Sequence, residues 1–486
     1  MKLMGVTGVL PGDPTTPGIP SKPGAPRVGP YKSIPSIPSL PISYRDALPL
    51  LKALNGHGPN VSKFNKYWQG GGLTHEGIDY NIGPTSDSLV LNLMNDQEYV
   101  TTPIWNVIGV INGSIPDEVI ILGNHRDAWI AGGAGDPNSG SAAFNEVIRA
   151  FGIAMEAGWR PLRTIVFASW DGEEYGLLGS TEWVEEYLPW LSEASIAYCN
   201  VDVGSVGPNF NAAASPLLNK AILDAVGIVP SPNQTIKGQT VLDTWDKKIK
   251  TMGSGSDFTA FQDFAGIPSL DLGFKAGADT PVYHYHSNYD SFHWMDTFGD
   301  PDFKYHVTIA RIWALIAASL CETPVLGLNA SDYAIGLGAY LQSVKDKVQS
   351  SSVRKKGSFS FKSLDLATTK LQDVAAKFDV YTTNLTNRLS EDVPWWKWWK
   401  KVQLFYEVRK ANSKYKLLER QFLYPSGLDD RPWFKHVVFA PGRWTGYAGA
   451  TYPGLVESFE DGNITNAEKW SSIIVERLHA AARLLE

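Results

Sequence analysis

The sequence predicts an α/β fold: a mixed, mostly parallel sheet flanked by helices, followed by a helical C-terminal domain. Two patterns carry the prediction. Between residues 101 and 330, short β-branched runs alternate with amphipathic stretches. Beyond about residue 330, apolar residues recur at helical spacing. Residues 1–100 show neither pattern, so the chain divides into 1–100, 101–330 and 331–486.

Residues 1–48 are rich in Pro and Gly (PGDPTTPGIPSKPGAP, then SIPSIPSLP) and read as an extended connector. A short helix is expected at Tyr44–Leu54 and an alternating strand at Ser88–Met94. Asn106–Ile111 and Glu118–Leu122 are the first two β-branched runs of the α/β region. Phe144, Val147, Ile148, Phe151 and Met155 then share one helical face, stopped by Gly158 with Pro161 beyond. A buried-strand pattern at Thr164–Ala168, a helix around Leu178–Tyr187 and a strand at Ser195–Val201 complete the alternation. Such alternation implies parallel strands covered on both faces. In the last region Leu371, Val374, Ala375 and Phe378 mark one helix. Another carries Trp470, Ile474, Leu478, Ala481 and Leu485 behind an expected capping box from Thr465 to Glu468.

The composition removes several classes. Of 486 residues, 43% are hydrophobic and 19% charged, enough to bury a core. A net charge of −7 and a pI near 5.8 argue against a nucleic-acid binder. Two cysteines, Cys199 and Cys321, make no disulfide scaffold, and Cys199 lies in an expected buried strand, which favours a free thiol. The best apolar run, Ile309–Leu320, is interrupted by Arg311 and is too short to span a bilayer. Met1–Leu10 is followed by Pro11, Gly12 and Pro14 rather than a cleavage site, so it does not read as a signal peptide. Yet N-x-S/T sequons begin at Asn60, Asn112, Asn233, Asn329, Asn384 and Asn463, which weakly favours a glycoprotein.

In an open α/β sheet, ligands bind beyond the carboxyl ends of the strands. Here those ends run into His125-Arg126-Asp127, Asp136, Asp171-Gly172-Glu173-Glu174 and Asp202, with Tyr285-His286 in a later loop. Converging carboxylates repel one another unless a metal pair neutralises them, and mixed imidazole and carboxylate donors suit zinc. Two metals need one bridging carboxylate and terminal ligands on each side. His125, Asp136, Glu174, Asp202 and His286 suffice as that set. Glu173 remains as general base for the attacking water, and Asp127 can hold the other nitrogen of the His125 ring.

Competing motifs fail. His125-Arg126-Asp127 resembles a kinase catalytic loop, but Gly132 stands where the metal-binding Asn belongs. His75-Glu76 opens an HExxH, but Asp79 occupies the second His position. No G-x-S-x-G elbow and no phosphate-binding P-loop is present.

Taken together, the motifs resemble those of the M28 metallopeptidases, in the branch of glutamate carboxypeptidase II and the transferrin receptor. The segments are Gly123–Asp127, Gly135–Gly140, Phe167–Trp183, Asn200–Asp202, Gly253–Phe258, Tyr285–Asp290, Asp430–Pro432 and Tyr447–Gly449. The resemblance runs from about residue 10 to the end. It implies a zinc exopeptidase-like fold acting on peptides with two zinc ions. His125 and Asp202 would hold one ion, Glu174 and His286 the other, with Asp136 bridging. It also implies Glu173 as base, Tyr285 as donor to the developing oxyanion, Gly255 and Tyr447 at the substrate, and a structural calcium at Glu182 and Glu185. His284 offers an alternative Tyr-His pair, but Ser287 and Tyr289 complete the pattern only for Tyr285-His286.

The transferrin receptor has lost its zinc ligands, so a non-catalytic binding protein or an inactive truncated peptidase is the competing reading; here all five ligands and the base are present. Glutamate-releasing members place Lys before the conserved tyrosine and line the adjoining subsite with arginines. Here Gly446 precedes Tyr447, and neither the stretch around Ala212 nor Asp271–Gly273 contains an arginine. A broad preference for neutral or apolar substrates is therefore expected, with the choice between amino- and carboxypeptidase open. The C-terminal region resembles the branch's dimerisation domain, implying a homodimer. The cluster Trp395, Trp396, Trp398, Trp399 could serve that interface, a membrane-facing patch or ordinary helix packing. By the same resemblance, residues 1–100 match the end of a protease-associated apical domain. The chain is expected to be the C-terminal portion of a longer secretory-pathway protein, membrane-anchored, vacuolar or extracellular.

Overall fold

Three parallel strands side by side organise the structure, a computed structural model that describes residues 10–29, 37–69, 71–98, 100–350, 359–444 and 446–486. They are β2 (Ile115–His125), β3 (Arg163–Trp170) and β4 (Ser195–Asn200). With β1 (Val107–Ile111), β5 (Asn209–Ala214), β6 (Ile249–Lys250) and β7 (Ser269–Lys275) they form one sheet in the order β1-β3-β2-β4-β7-β5-β6. The pairs β2/β3, β2/β4, β4/β7 and β5/β6 are parallel, while β1/β3 and β5/β7 are antiparallel. The sheet is thus mixed and mostly parallel, as expected.

The central strands are buried on both faces, which is why Val119-Ile120-Ile121-Leu122 reads as an unbroken apolar run rather than an alternation. Helices α2 (Asn138–Glu156), α3 (Leu178–Ala194), α4 (Asn219–Val226) and α5 (Lys304–Glu322) flank the sheet. Phe144 of α2 stacks on Trp313 of α5 with ring centroids 5.1 Å apart. The apolar run Ile309–Leu320 is therefore the inner face of a packed helix; among the described residues no helix is long and apolar enough to cross a membrane. Cys199 and Cys321 are both buried and free.

The C-terminal region is built from α6 (Ala330–Ser350), α7 (Lys362–Leu389), α8 (Trp398–Leu418), α9 (Pro453–Glu460) and α10 (Ile464–Leu485). Trp470, Ile474, Leu478, Ala481 and Leu485 are buried along α10. The helix starts two residues earlier than expected. Its cap is Asn463, whose side chain accepts the Asn466 N–H, and Thr465 lies inside the first turn. Between α8 and α9 the chain leaves helix for a hairpin, β8 (Phe439–Pro441) with β9 (Gly449–Thr451). The helical region is locked to the sheet by Glu118, buried between Arg163 (2.6 Å) and Arg409 of α8 (2.9 Å).

Residues 10–29, read as connector, pack on this body: the Gly12 N–H donates to the Gly176 carbonyl at 2.8 Å. The reading of Met1–Leu10 as a non-signal start falls on residues 1–9, outside the described residues. Residues 34–103 form a separate unit. It holds helix α1 (Tyr44–Lys52), capped by Ser43, and three short 3-10 turns. The strand expected at Ser88–Met94 is absent; Val90 and Met94 are 88% and 79% exposed. Alternation specifies a strand only when a neighbouring strand completes the ladder, and no strand occurs among this unit's described residues.

Candidate metal centre

The ends of β2, β3 and β4 deliver their polar residues to one edge of the sheet. His125 closes β2, Glu173 and Glu174 follow β3, and Asp202 follows β4. Asp136 arrives from the loop before α2. Its backbone N–H and that of Gly135 donate to the Asp290 carboxylate at 3.0 and 2.7 Å. Asp202 is reached because α2 begins at small residues: a Cβ on Gly140 would stand 2.3 Å from the Asp202 carbonyl oxygen.

All five residues read as metal ligands converge. His125 Nε2 lies 3.1 Å from Asp136 Oδ1 and 3.3 Å from Asp202 Oδ1. His286 Nε2 lies 3.3 Å from Asp136 Oδ2 and 3.1 Å from Glu174 Oε2. The two groups, His125/Asp136/Asp202 and Asp136/Glu174/His286, share Asp136, one oxygen to each side. His284 faces Tyr289 instead, with ring centroids 5.5 Å apart, so the Tyr285-His286 register is the one at the cluster.

The donor set fits a cation. His125 Nδ1 stands 3.0 Å from the Asp127 carbonyl oxygen, which can only accept, so the neutral ring carries its proton there. Nε2 then presents a lone pair to carboxylates. Asp136 Oδ1, Glu173 Oε1 and Glu174 Oε2 are buried without any hydrogen-bond donor. Burial lowers the His286 imidazole, but Asp136 and Glu174 outweigh it and raise it to about 9. Burial likewise raises the Glu173 carboxyl well above the usual carboxylate range. A divalent cation held by these donors would lower both groups toward their deprotonated forms.

Asp127 acts on both sides of Glu173. Its carboxylate accepts the backbone N–H groups of Glu173 (3.0 Å) and Glu174 (3.1 Å) while its carbonyl orients His125. The cleft beside the cluster has a volume of about 500 Å³. Tyr285 and Tyr447 meet at it with their hydroxyls 2.6 Å apart. Gly255, at φ +96°, passes under the Tyr447 ring, where a Cβ would lie 2.1 Å from a ring carbon.

Glu182 and Glu185 form a second acidic group on α3, wrapped by the segment 10–29. Glu182 accepts the Asp13 N–H at 2.7 Å, and Glu185 accepts the Gly18 N–H at 3.0 Å and the Trp433 indole N–H at 2.8 Å. Glu185 Oε2 and Thr16 Oγ1 are buried without partners.

Sequence reasoning missed several residues at the centre. Asp290, which holds the Asp136 loop and accepts the Tyr283 hydroxyl at 2.9 Å, was visible only as the last letter of a motif. Asp257 is fully buried and pushed up to about 7, chiefly by burial. Lys250 and Lys275 line the cleft from strand ends that carry no motif. Lys250 donates to Asn211 at 2.7 Å, and Asp271 accepts from Asn200 at 2.9 Å.

Comparison with known proteins agrees with this geometry. The sequence model described as "Peptidase family M28" matches residues 106–299, and that described as "Transferrin receptor-like dimerisation domain" matches 359–486. A "Probable glutamate carboxypeptidase" of Arthroderma benhamiae is 41% identical over 482 residues, covering 98% of this chain and 63% of that protein. "Aminopeptidase NAALADL1" of Rattus norvegicus is 32% identical over 515 residues, covering 98% and 65%. The chain thus spans just under two-thirds of the length of these relatives. Among solved structures, a zinc aminopeptidase from Bacillus subtilis aligns at 18% identity with a TM-score of 0.36, over 45% of this chain and 50% of that one. Residues 106–299 thus match peptidase family M28, and residues 359–486 match a transferrin receptor-like dimerisation domain.

Proposed function

We propose that the protein is a co-catalytic dizinc exopeptidase acting on peptides. The observation that carries this reading is the shared Asp136, whose two oxygens face two separate imidazole–carboxylate pairs. His125 and Asp202 would hold one zinc and Glu174 and His286 the other, with Asp136 between them. Zinc bound there would supply Lewis acidity, polarising the scissile carbonyl and lowering the pKa of the attacking water. Glu173, buried and without a donor on Oε1, takes the proton from that water and returns it to the leaving amine. The Tyr285 hydroxyl donates to the oxygen on which charge develops. Tyr447 and Gly255 bound the substrate side.

No arginine lines the cleft among the described residues. Lys250 is engaged by Asn211, and the charge of Lys275 is opposed by Asp271. The absence of a bidentate guanidinium supports a broad preference for neutral side chains rather than a strict requirement for glutamate. At Glu182 and Glu185 we propose a structural calcium, supported by the orphaned Glu185 and Thr16 oxygens. The match over 359–486 supports a homodimer, and 32% identity to a "Vacuolar protein sorting-associated protein 70" of Saccharomyces cerevisiae supports a secretory-pathway location.

Metal analysis and a single variant test the reading. About two zinc ions per chain are expected. Glu173→Gln should retain them while lowering peptide hydrolysis by about 10²–10⁴-fold. A protein that holds no zinc would sink the proposal. One that holds two and turns over no member of a peptide library would instead be a non-catalytic binding protein.

A further inference from the structure

We propose that the tip of the α7–α8 hairpin is a peripheral membrane-contact surface for anionic phospholipid headgroups. The four indoles singled out in the sequence are not packed against a neighbouring helix. Trp395 is 81% exposed, Trp399 is 51% exposed, and Trp396 and Trp398 lie between. Phe405 and Tyr406 extend the exposed aromatic surface along α8, whose buried residues begin only at Leu404. The indoles touch one another edge to face, Trp395 with Trp396 at 5.9 Å and Trp398 with Trp399 at 6.5 Å. An exposed aromatic patch of this kind requires an occupant.

Charge and residue type choose the occupant. Between Val393 and Tyr406 the charged residues are Lys397, Lys400 and Lys401, with no acid, in a chain of net charge −7. Glu391 and Asp392 precede the patch, and Glu407 beyond it is paired with Arg388 at 2.5 Å. The N-terminus of α8, with its positive dipole end, carries no side-chain cap and lies within the same stretch. Tryptophan interleaved with lysine suits the bilayer interface: the indole sits at headgroup depth, and the lysine stem lies along the apolar layer with its ammonium at the phosphates. A second copy is the poorer fit. A two-fold contact centred on this patch would set the three lysines against their own images. Lysine is also depleted from the cores of protein–protein interfaces. No helix of the described residues can span a bilayer, so the contact is superficial.

Co-sedimentation with vesicles tests this. The purified chain is mixed with phosphatidylcholine vesicles, with and without roughly a third phosphatidylserine, at low and high salt. Binding to the phosphatidylserine vesicles is expected, weakened by salt. Trp396→Ser/Trp399→Ser should reduce it by at least about tenfold. Lys397→Glu, Lys400→Glu and Lys401→Glu should each reduce it by about fivefold. All five side chains are at least partly exposed, and circular dichroism checks that the variants fold. Absence of binding by the parent chain, or equal binding by the variants, overturns the proposal. So does a tryptophan variant that falls from dimer to monomer in analytical ultracentrifugation while neither chain binds vesicles; the patch would then belong to a second copy.

Discussion

The hydroxyls of Tyr285 and Tyr447 meet 2.6 Å apart at the cleft, joining the metal-site loop to the hairpin between α8 and α9. Burial raises both phenols, so both stay protonated at neutral pH and one must donate to the other. Tyr285→Phe is expected to lower kcat by about 10²–10³-fold with little change in KM, because it removes a donor needed in the transition state. Tyr447→Phe should act mainly on KM. Steady-state kinetics with a neutral dipeptide separates them, and equal effects on both parameters would contradict the assignment.

Asp127 is predicted to govern metal retention without touching the metal. Asp127→Asn puts an amide N–H₂ against backbone donors that now find a carboxylate. Zinc affinity should fall by about 10–100-fold, read by competition with a chromogenic chelator. Unchanged affinity would mean that the His125 and Glu174 positions do not depend on this clamp.

The acidic pair on α3 predicts a pH-dependent stability. Burial raises Glu182 to about 7 and Glu185 to about 8, against 4.5 for an ordinary glutamate. The folded state therefore holds these protons more tightly than the unfolded state. Their contribution is present below pH 4.5 and is lost as pH rises through 7 to 8. In chelator, Tm should fall across that window. Added calcium should flatten the profile, because the cation replaces the protons. Thermal unfolding with and without calcium gives the answer, and superimposable profiles would exclude a cation at this pair.

Neither cysteine should react while the protein is folded. Burial pushes the Cys199 thiol up to about 12 and Cys321 to about 11. Both remain thiols at neutral pH, and neither is accessible. A thiol reagent is expected to label two groups per chain only after denaturation. Fast labelling of native protein would show that α5 opens from the sheet.

What the sequence determined by itself was the chemistry and its local frame. His125, Glu173, Glu174 and Asp202 each sit at the end of a strand whose apolar run is unmistakable, so type and position were both legible. Tertiary structure decided the pairings. Only the strand order β3-β2-β4 makes three sequence-distant ends neighbours and puts one oxygen of Asp136 toward each imidazole. Lys250, Lys275 and Asp290 gained their roles from register and loop closure, which no local pattern encodes. Burial separated like from like as well. The alternation at Ser88–Met94 has no neighbouring strand and forms none, and the tryptophan-rich stretch Trp395–Trp399 stands in solvent. Side-chain type sets what a residue can do, but pairing and burial are long-range properties of the folded chain, and they select which of those capacities is used.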